Sequence, residues 1–254
     1  MIQRSFAFSV LCASALGIGA CSHAQLLPSP PTDAARAEGQ DLLRDLTPHL
    51  PDCQGTLVVK GQDLWSSWFW RLTPLGAQQA SFELRANSER MRLRLPAQDL
   101  EFLWEAGTIR KKQVAEASWV PHESWLDRLY LESLALYLRL PLLIARAHNH
   151  AATGPHPTAA RQDQGLFFTL EPASHLKIDQ FVAYFNRETL AIEALRFTYR
   201  DLSPAYTGWL RWDDRRATPF GPYPFHIRIQ ETYDAPLSDH ELILDSLSCE
   251  PTSP

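Results

Sequence analysis

What most constrains this chain is a hydrophobic period of two residues, which starts near residue 64 and recurs through most of the remaining sequence. Segment 64–72 places Leu64, Trp68, Trp70 and Leu72 on one face, and 80–86 sets Phe82 and Leu84 against Glu83 and Arg85. Met91, Leu93 and Leu95 alternate with Arg92 and Arg94, and Leu100, Phe102 and Trp104 alternate with Glu101 and Leu103. The pattern returns at Leu166, Phe168 and Leu170, at Leu195, Phe197 and Tyr199, and at Phe225, Ile227 and Ile229. Asn87-Ser88, Ala97-Gln98-Asp99, Ala106-Gly107 and Arg187-Glu188-Thr189 are links short enough that the strands they join must run antiparallel. Alternation with arginine on the off-face gives each strand one dry and one wet side. The expected fold class is mainly β (α+β): a single curved antiparallel sheet of about ten strands, wide enough to twist and curl.

A dry face of that size needs a cover, and two stretches change to helical spacing. Thr32 or Asp33 caps a helix running to about Leu50, with Leu42, Leu43, Leu46 and Leu50 as its apolar stripe and Pro51 as its stop. A second helix is expected from His122 to about Leu140, carrying Trp125, Leu126, Leu129, Tyr130, Leu134, Tyr137 and Leu138. Pro141 breaks or kinks it, and its internal Glu132 and Arg139 argue against a membrane span. It reads as a central lid. Residues 147–164 read as a long flexible loop after it.

The N-terminus carries a different signal. Arg4 precedes an apolar run from Phe6 to Ile18, which ends in Ile18-Gly19-Ala20-Cys21. The run is too short for a permanent span, and it resembles a bacterial lipoprotein signal peptide. That resemblance implies cleavage of residues 1–20, lipidation of Cys21, and a membrane anchor made of acyl chains alone. An ordinary secretory signal cut near Ala24 is the alternative. Ser22 lacks the aspartate of the enteric inner-membrane retention rule, which implies a periplasm-facing protein anchored in the outer membrane. Residues 21–31 would be the anchor and a proline-rich spacer, residues 32–250 one domain, and residues 251–254 a tail.

Removing the signal leaves 234 of the 254 residues and, with Arg4 lost, moves the net charge from −5 to −6. Such a chain has no overall electrostatic reason to bind nucleic acid or anionic lipid headgroups. Cys12 leaves with the signal and Cys21 is taken by lipid, so the domain retains Cys53 and Cys249. In an oxidising compartment they are expected to pair, tying the first strand to the last, with two unrelated buried thiols as the alternative.

The order of elements, together with Tyr184-Phe185-Asn186, Leu195 through Asp201, Tyr206-Thr207-Gly208 and Gly221 through Ile227, resembles the LolA/LolB-like superfamily of periplasmic half-barrel lipoprotein carriers. The resemblance implies an open half-barrel that holds acyl chains of lipids or lipoproteins between a concave sheet and helices. The residues expected to line that face are Trp68, Trp70, Phe82, Leu84, Leu93, Phe102, Trp104, Phe168, Phe197 and Ile227, with Leu126 and Leu134 from the lid. Walls of this kind suit a hydrocarbon chain, although a solid ordinary core has the same composition. The competing reading is a non-enzymatic scaffold whose outer face, with Arg85, Arg92, Arg94, Arg196 and Arg228, docks another envelope protein.

Other constellations point to little chemistry. His148, His150 and His156 lack the cysteines or carboxylates of common zinc sites and read as a solvated loop, so no metal or cofactor is expected. Asp213-Asp214-Arg215-Arg216 reads as a polar hairpin loop, and Arg110-Lys111-Lys112 as a solvated edge. There is no Gly-x-Ser-x-Gly, phosphate-cradling glycine loop, His-Glu-x-x-His or Cys-x-x-Cys. The chain is therefore expected not to be an enzyme, with an envelope hydrolase as the third reading.

Overall fold

The computed structural model describes residues 24–27, 29–105, 107–155, 163–172, 178–200, 205–235 and 238–251. The segment read as a signal peptide, Cys21 and the last three residues lie outside that range. Thr32 caps α1 (Asp33–Leu46), its side chain accepting from the Ala35 N–H. Then come β1 (Thr56–Trp65), β2 (Gln79–Ala86), β3 (Arg90–Leu95), β4 (Leu100–Glu105), β5 (Thr108–Gln113) and β6 (Val120–Pro121). Ser124 caps α2 (Trp125–Leu143). The chain continues through β7 (His148–Thr153), β8 (Asp163–Thr169), β9 (Phe181–Asn186), β10 (Ile192–Thr198), β11 (Thr207–Thr218), β12 (Gly221–Gln230) and β13 (His240–Glu250).

All thirteen strands form one sheet in the order β6-β5-β4-β3-β2-β1-β13-β12-β11-β10-β9-β8-β7, every described pair antiparallel. The chain thus winds outward from the centre to the β6 edge, crosses to the β7 edge, and winds back until β13 pairs with β1. The crossing falls to α2. Thirteen strands spaced by about 4.8 Å make an arc of roughly 58 Å, whereas nineteen helical residues reach about 28 Å. The sheet therefore curls toward its own edges, and α2 lies across the inside of the curl. At the centre, Cys53 and Cys249 form a disulfide with their Cα atoms 5.7 Å apart, as their places beside β1 and β13 require.

The strand register explains the alternation. One inner row runs Val59, Leu84, Leu93, Phe102, Lys111 and Val120 across β1 to β6. The neighbouring outer row is Lys60, Glu83, Arg94, Glu101 and Lys112, alternating in sign across five strands. Directly opposed charges of unlike sign support the pairing, and like charges would oppose it. Glu101, with a side chain only 4% exposed, is held by Arg92 and by Lys112 at 3.4 Å. Burial acts to raise its carboxyl, the two cations outweigh it, and the result lies below the ordinary value.

Several expectations need correction. The strand expected over 64–72 stops at Trp65, and Trp68–Leu72 close a 3₁₀ turn instead. The strand ends with its partners, since β2 begins at Gln79 opposite Leu64 and β13 at His240 opposite Trp65. Residues 147–164 are not simply a loop, because β7 occupies His148–Thr153 as the sheet edge. Asp213–Arg216 lie inside β11, where Asp214 takes a left-handed φ of 47°, and the hairpin turns later, at 219–220. Pro141 does not stop α2, which continues to Leu143 before a 3₁₀ turn at Ile144–Arg146.

Nor is the off-face wet everywhere. Phe167, Val182, Tyr184, Ala194 and Trp209 form a second buried cluster on the outer side of β8 to β11, covered by Leu26, Leu27, Ala35 and Tyr233. Ala151 joins them from β7 and meets Gly39 of α1, where an added Cβ would stand 2.5 Å from the Ala151 Cα. The N-terminal helix consequently straddles the β7 edge. Ala35 faces the outer cluster, while Leu46 joins the main core.

Candidate functional site: the inner face and the helix that fills it

Of the residues expected to line the inner face, Phe82, Leu84, Leu93, Phe102, Leu134, Phe168, Phe197 and Ile227 are all at 0 or 1% exposure. They pack into one core that also contains Leu131, Leu138, Leu140 and Tyr137 of α2. Trp104 is half-buried and packs against that core, and Leu126 is half-buried near the start of α2. Trp70 is half-buried and Trp68 is 58% exposed, both on the 3₁₀ turn that follows β1 and so apart from the inner rows. Trp68 stacks on Phe69 at 4.5 Å, and Phe69 and Leu72 are exposed beside it.

An inner surface larger than the helices can seal is therefore not observed. The side chains of α2 occupy the trough. Two cavities lie at its periphery. One, of about 330 Å³, is lined by Pro31, Arg36, Gln40, Asn149, His150 and Phe167 near the β7 edge. The other, of about 180 Å³, lies between the start of β1, the β2–β3 turn and the last turn of α2. No helix among the described residues is long and apolar enough to cross a membrane.

Beneath α2 sits a group of polar residues that sequence reasoning missed. Asp63, fully buried on β1, accepts from Tyr130 Oη of α2 at 2.7 Å and bonds His240 Nε2 of β13 at 2.7 Å. Trp65 stacks on the His240 ring at 4.0 Å, and Tyr137 meets that ring edge-on. Burial first, then the neighbouring Asp63, hold the Tyr130 phenol well above its ordinary value, so it remains a donor. A buried carboxyl satisfied on both oxygens fastens helix to sheet. Two further ties do the same: Tyr223 Oη donates to the Leu138 carbonyl, and Ser133 Oγ bonds Tyr199 Oη at 2.8 Å. The available signal was Asp63 itself, which keeps the parity of Leu57 and Val59 and so puts a carboxyl on the dry face.

The outer arginines are mostly occupied. Arg85 pairs with Glu250, Arg92 with Glu101, Arg94 with Glu83 at 3.7 Å and Arg228 with Asp213 at 2.6 Å, while Arg196 lies over the Trp209 ring. His148 and His150 stand on the edge strand, whereas His156 and His175 fall outside the described residues. Among the described residues no three metal-ligating side chains converge.

Three solved structures share this architecture. A DUF1329 family protein from Desulfovibrio piger superposes with a TM-score of 0.54 at 10% identity, covering 85% of this chain and 93% of its own. A LolA superfamily protein from Nitrosomonas europaea gives 0.51 at 8% identity, over 85% of this chain and 94% of the other. The chain has a LolA-like fold. A domain named for outer membrane lipoprotein sorting, from Vibrio parahaemolyticus, gives 0.51 at 9% identity over 84% and 92%. No protein-family model and no curated protein sequence matches the chain. At such identities the LolA-like likeness is one of backbone, and the side chains that fill the half-barrel are this chain's own.

Proposed function

We propose that this protein is an outer-membrane-anchored, periplasm-facing lipoprotein that binds the acyl chains of a lipid or lipoprotein between the sheet and α2, without catalysis. The observation that carries the reading is the cover of the inner face. A curved apolar surface spanning most of the sheet is covered along its length by α2, with Leu46 of α1 joining at the margin, and α2 is tied down by a few identifiable polar bonds. The structure is then the closed form, in which α2 takes the place of the guest, and loading requires the helix to shift. Apolar area exposed by that shift is what a hydrocarbon chain would cover. The LolA superfamily and lipoprotein-sorting names of the structural neighbours support the same reading.

The N-terminal segment supports the anchored placement. The Leu26 and Leu27 N–H groups donate to Gln180 Oε1 at 2.6 and 3.1 Å, at the end of the sheet where β9 begins. Cys21 lies three residues before Ala24, a reach of about 10 Å. Lipidation there would hold that end of the sheet near the bilayer. The exposed turn with Trp68, Phe69 and Leu72 follows the same end of β1, and aromatic side chains of this kind favour the membrane interface. The docking-scaffold alternative has less support, since the outer arginines it relies on are already engaged.

Native mass spectrometry of the purified protein tests the reading. Co-purified lipid, or saturable uptake of a fluorescent fatty acid, is the expected result. A protein that is empty and also excludes the fatty acid would overturn it.

A further inference from the structure

The sandwich of sheet and α2 has a mouth at the end where β1 begins, and the chemistry there differs from the core. Its cavity of about 180 Å³ has Leu57 and Ala86 of the sheet on one side and Leu142 and Leu143 of α2 on the other. At its rim are two cations, Arg139 and Arg146. Arg146 is engaged, bonding Asp52 at 2.6 Å. Arg139 is not. Half-buried on α2, it has no carboxylate within ion-pair distance among the described residues, and its principal electrostatic neighbour is Arg146, a like charge. Glu89, the acid on the opposite rim, is exposed to solvent.

A guanidinium keeps its charge under such conditions, and a partly desolvated cation without a counter-ion is unfavourable. Burial and Arg146 both press its protonation equilibrium downward, as that situation requires. An anion placed between the two arginines would relieve both effects, and the planar fork of arginine suits the oxygens of a phosphate. The apolar side chains that line the same cavity as the cations specify more than a free ion. We propose that this mouth binds the phosphate head of an amphiphile, held by Arg139 with Arg146, while its chain runs inward along Leu57, Ala86, Leu142 and Leu143. The inference rests on the acyl-binding reading and adds a head-group class to it. At 180 Å³ the mouth accepts the head and the first part of a chain, being below the roughly 300–1,000 Å³ of an ordinary small-molecule pocket. The remainder of the chain would need the shift of α2.

Calorimetric titration of the protein with dodecyl phosphate, dodecyl maltoside and inorganic phosphate, each below any micellar concentration, tests this. Dodecyl phosphate is expected to bind most tightly, with inorganic phosphate weaker by about tenfold or more. Arg139→Gln should weaken dodecyl phosphate about tenfold, Arg139→Lys less, and Arg94→Gln in the outer row beside Glu83 not at all. A thermal melt of each variant confirms that it is folded. Equal binding of the maltoside, or an Arg139→Gln variant that binds dodecyl phosphate like the parent, overturns the head-group site while leaving acyl binding intact. Inorganic phosphate binding as tightly as dodecyl phosphate makes this a free-anion site and overturns the amphiphile. Failure of both alkyl ligands overturns the acyl-binding reading itself.

Discussion

Tyr130 of α2 donates its phenolic hydrogen to Asp63 of β1 at 2.7 Å, across the boundary between the helix and the sheet it covers. The second carboxyl oxygen of Asp63 is held by His240, so the bond ends on a group that the sheet itself has oriented. Removing either end has different consequences. Tyr130→Phe deletes one bond and leaves a carboxyl oxygen unsatisfied, which should cost about 1–3 kcal/mol in urea denaturation. Asp63→Ala strands both Tyr130 and His240 and should cost about 3–5 kcal/mol. If α2 is the element that yields to a guest, Tyr130→Phe should also take up a fluorescent fatty acid faster than the parent protein. Unchanged uptake with lowered stability would assign the bond a purely structural role.

Cys53 and Cys249 are separated by 196 positions and close nearly the whole domain. The loop-entropy argument gives a closure of this length about 5 kcal/mol. Cys53→Ser with Cys249→Ser should therefore lower unfolding free energy by about 2–5 kcal/mol, visible as a lower urea midpoint. An equal midpoint with and without reductant would show that β1 and β13 hold without the bond.

Glu101 predicts a pH dependence. Its folded value lies below the ordinary one because Arg92 and Lys112 prevail over burial. A depressed carboxyl contributes stability that is fully present above the unfolded value and lost as pH falls through the folded value. Acid should therefore narrow the difference between the parent protein and Glu101→Gln. At neutral pH the substitution should cost about 1–3 kcal/mol, since it leaves part of a charge-assisted pair unmade. A difference that stays constant down to the acid limb of the denaturation profile would remove Glu101 from the cause.

Trp68 and Phe69 are 58% and 47% exposed, so replacing both by Ala should change stability by no more than about 0.5 kcal/mol. Their expected effect is on surfaces. In a sedimentation assay the protein should associate with zwitterionic phosphatidylcholine vesicles, and the double variant should associate less. Equal sedimentation would show that the turn does not touch the bilayer.

How much of this was legible beforehand varies with the range of the interaction that decides it. Phe82, Leu84, Leu93 and Phe102 fell on the dry face as their spacing requires, because register carries a strand's whole set of side chains to one side. Thr32 and the turns at Asn87 and Arg187 were equally local. Trp68 and Trp70 had the same spacing and failed, since a strand also needs a neighbour and the ladder ends at Trp65. Phe167 and Val182 sit off the inner parity yet are buried, because Leu26 and Leu27 return to cover them.

By itself, then, the sequence determined the antiparallel sheet, its two faces, its helical cover and the cysteine pair, each a consequence of short-range periodicity or of the scarcity of thiols. The tertiary structure alone decided that the inner face is filled. Whether a trough is vacant depends on how closely Leu134 and Leu138 of α2 approach Phe197 and Ile227, residues brought together only when the chain crosses from one sheet edge to the other. No local pattern encodes that distance. It is set by the curl of thirteen strands and by the buried carboxyl of Asp63, which binds the helix down.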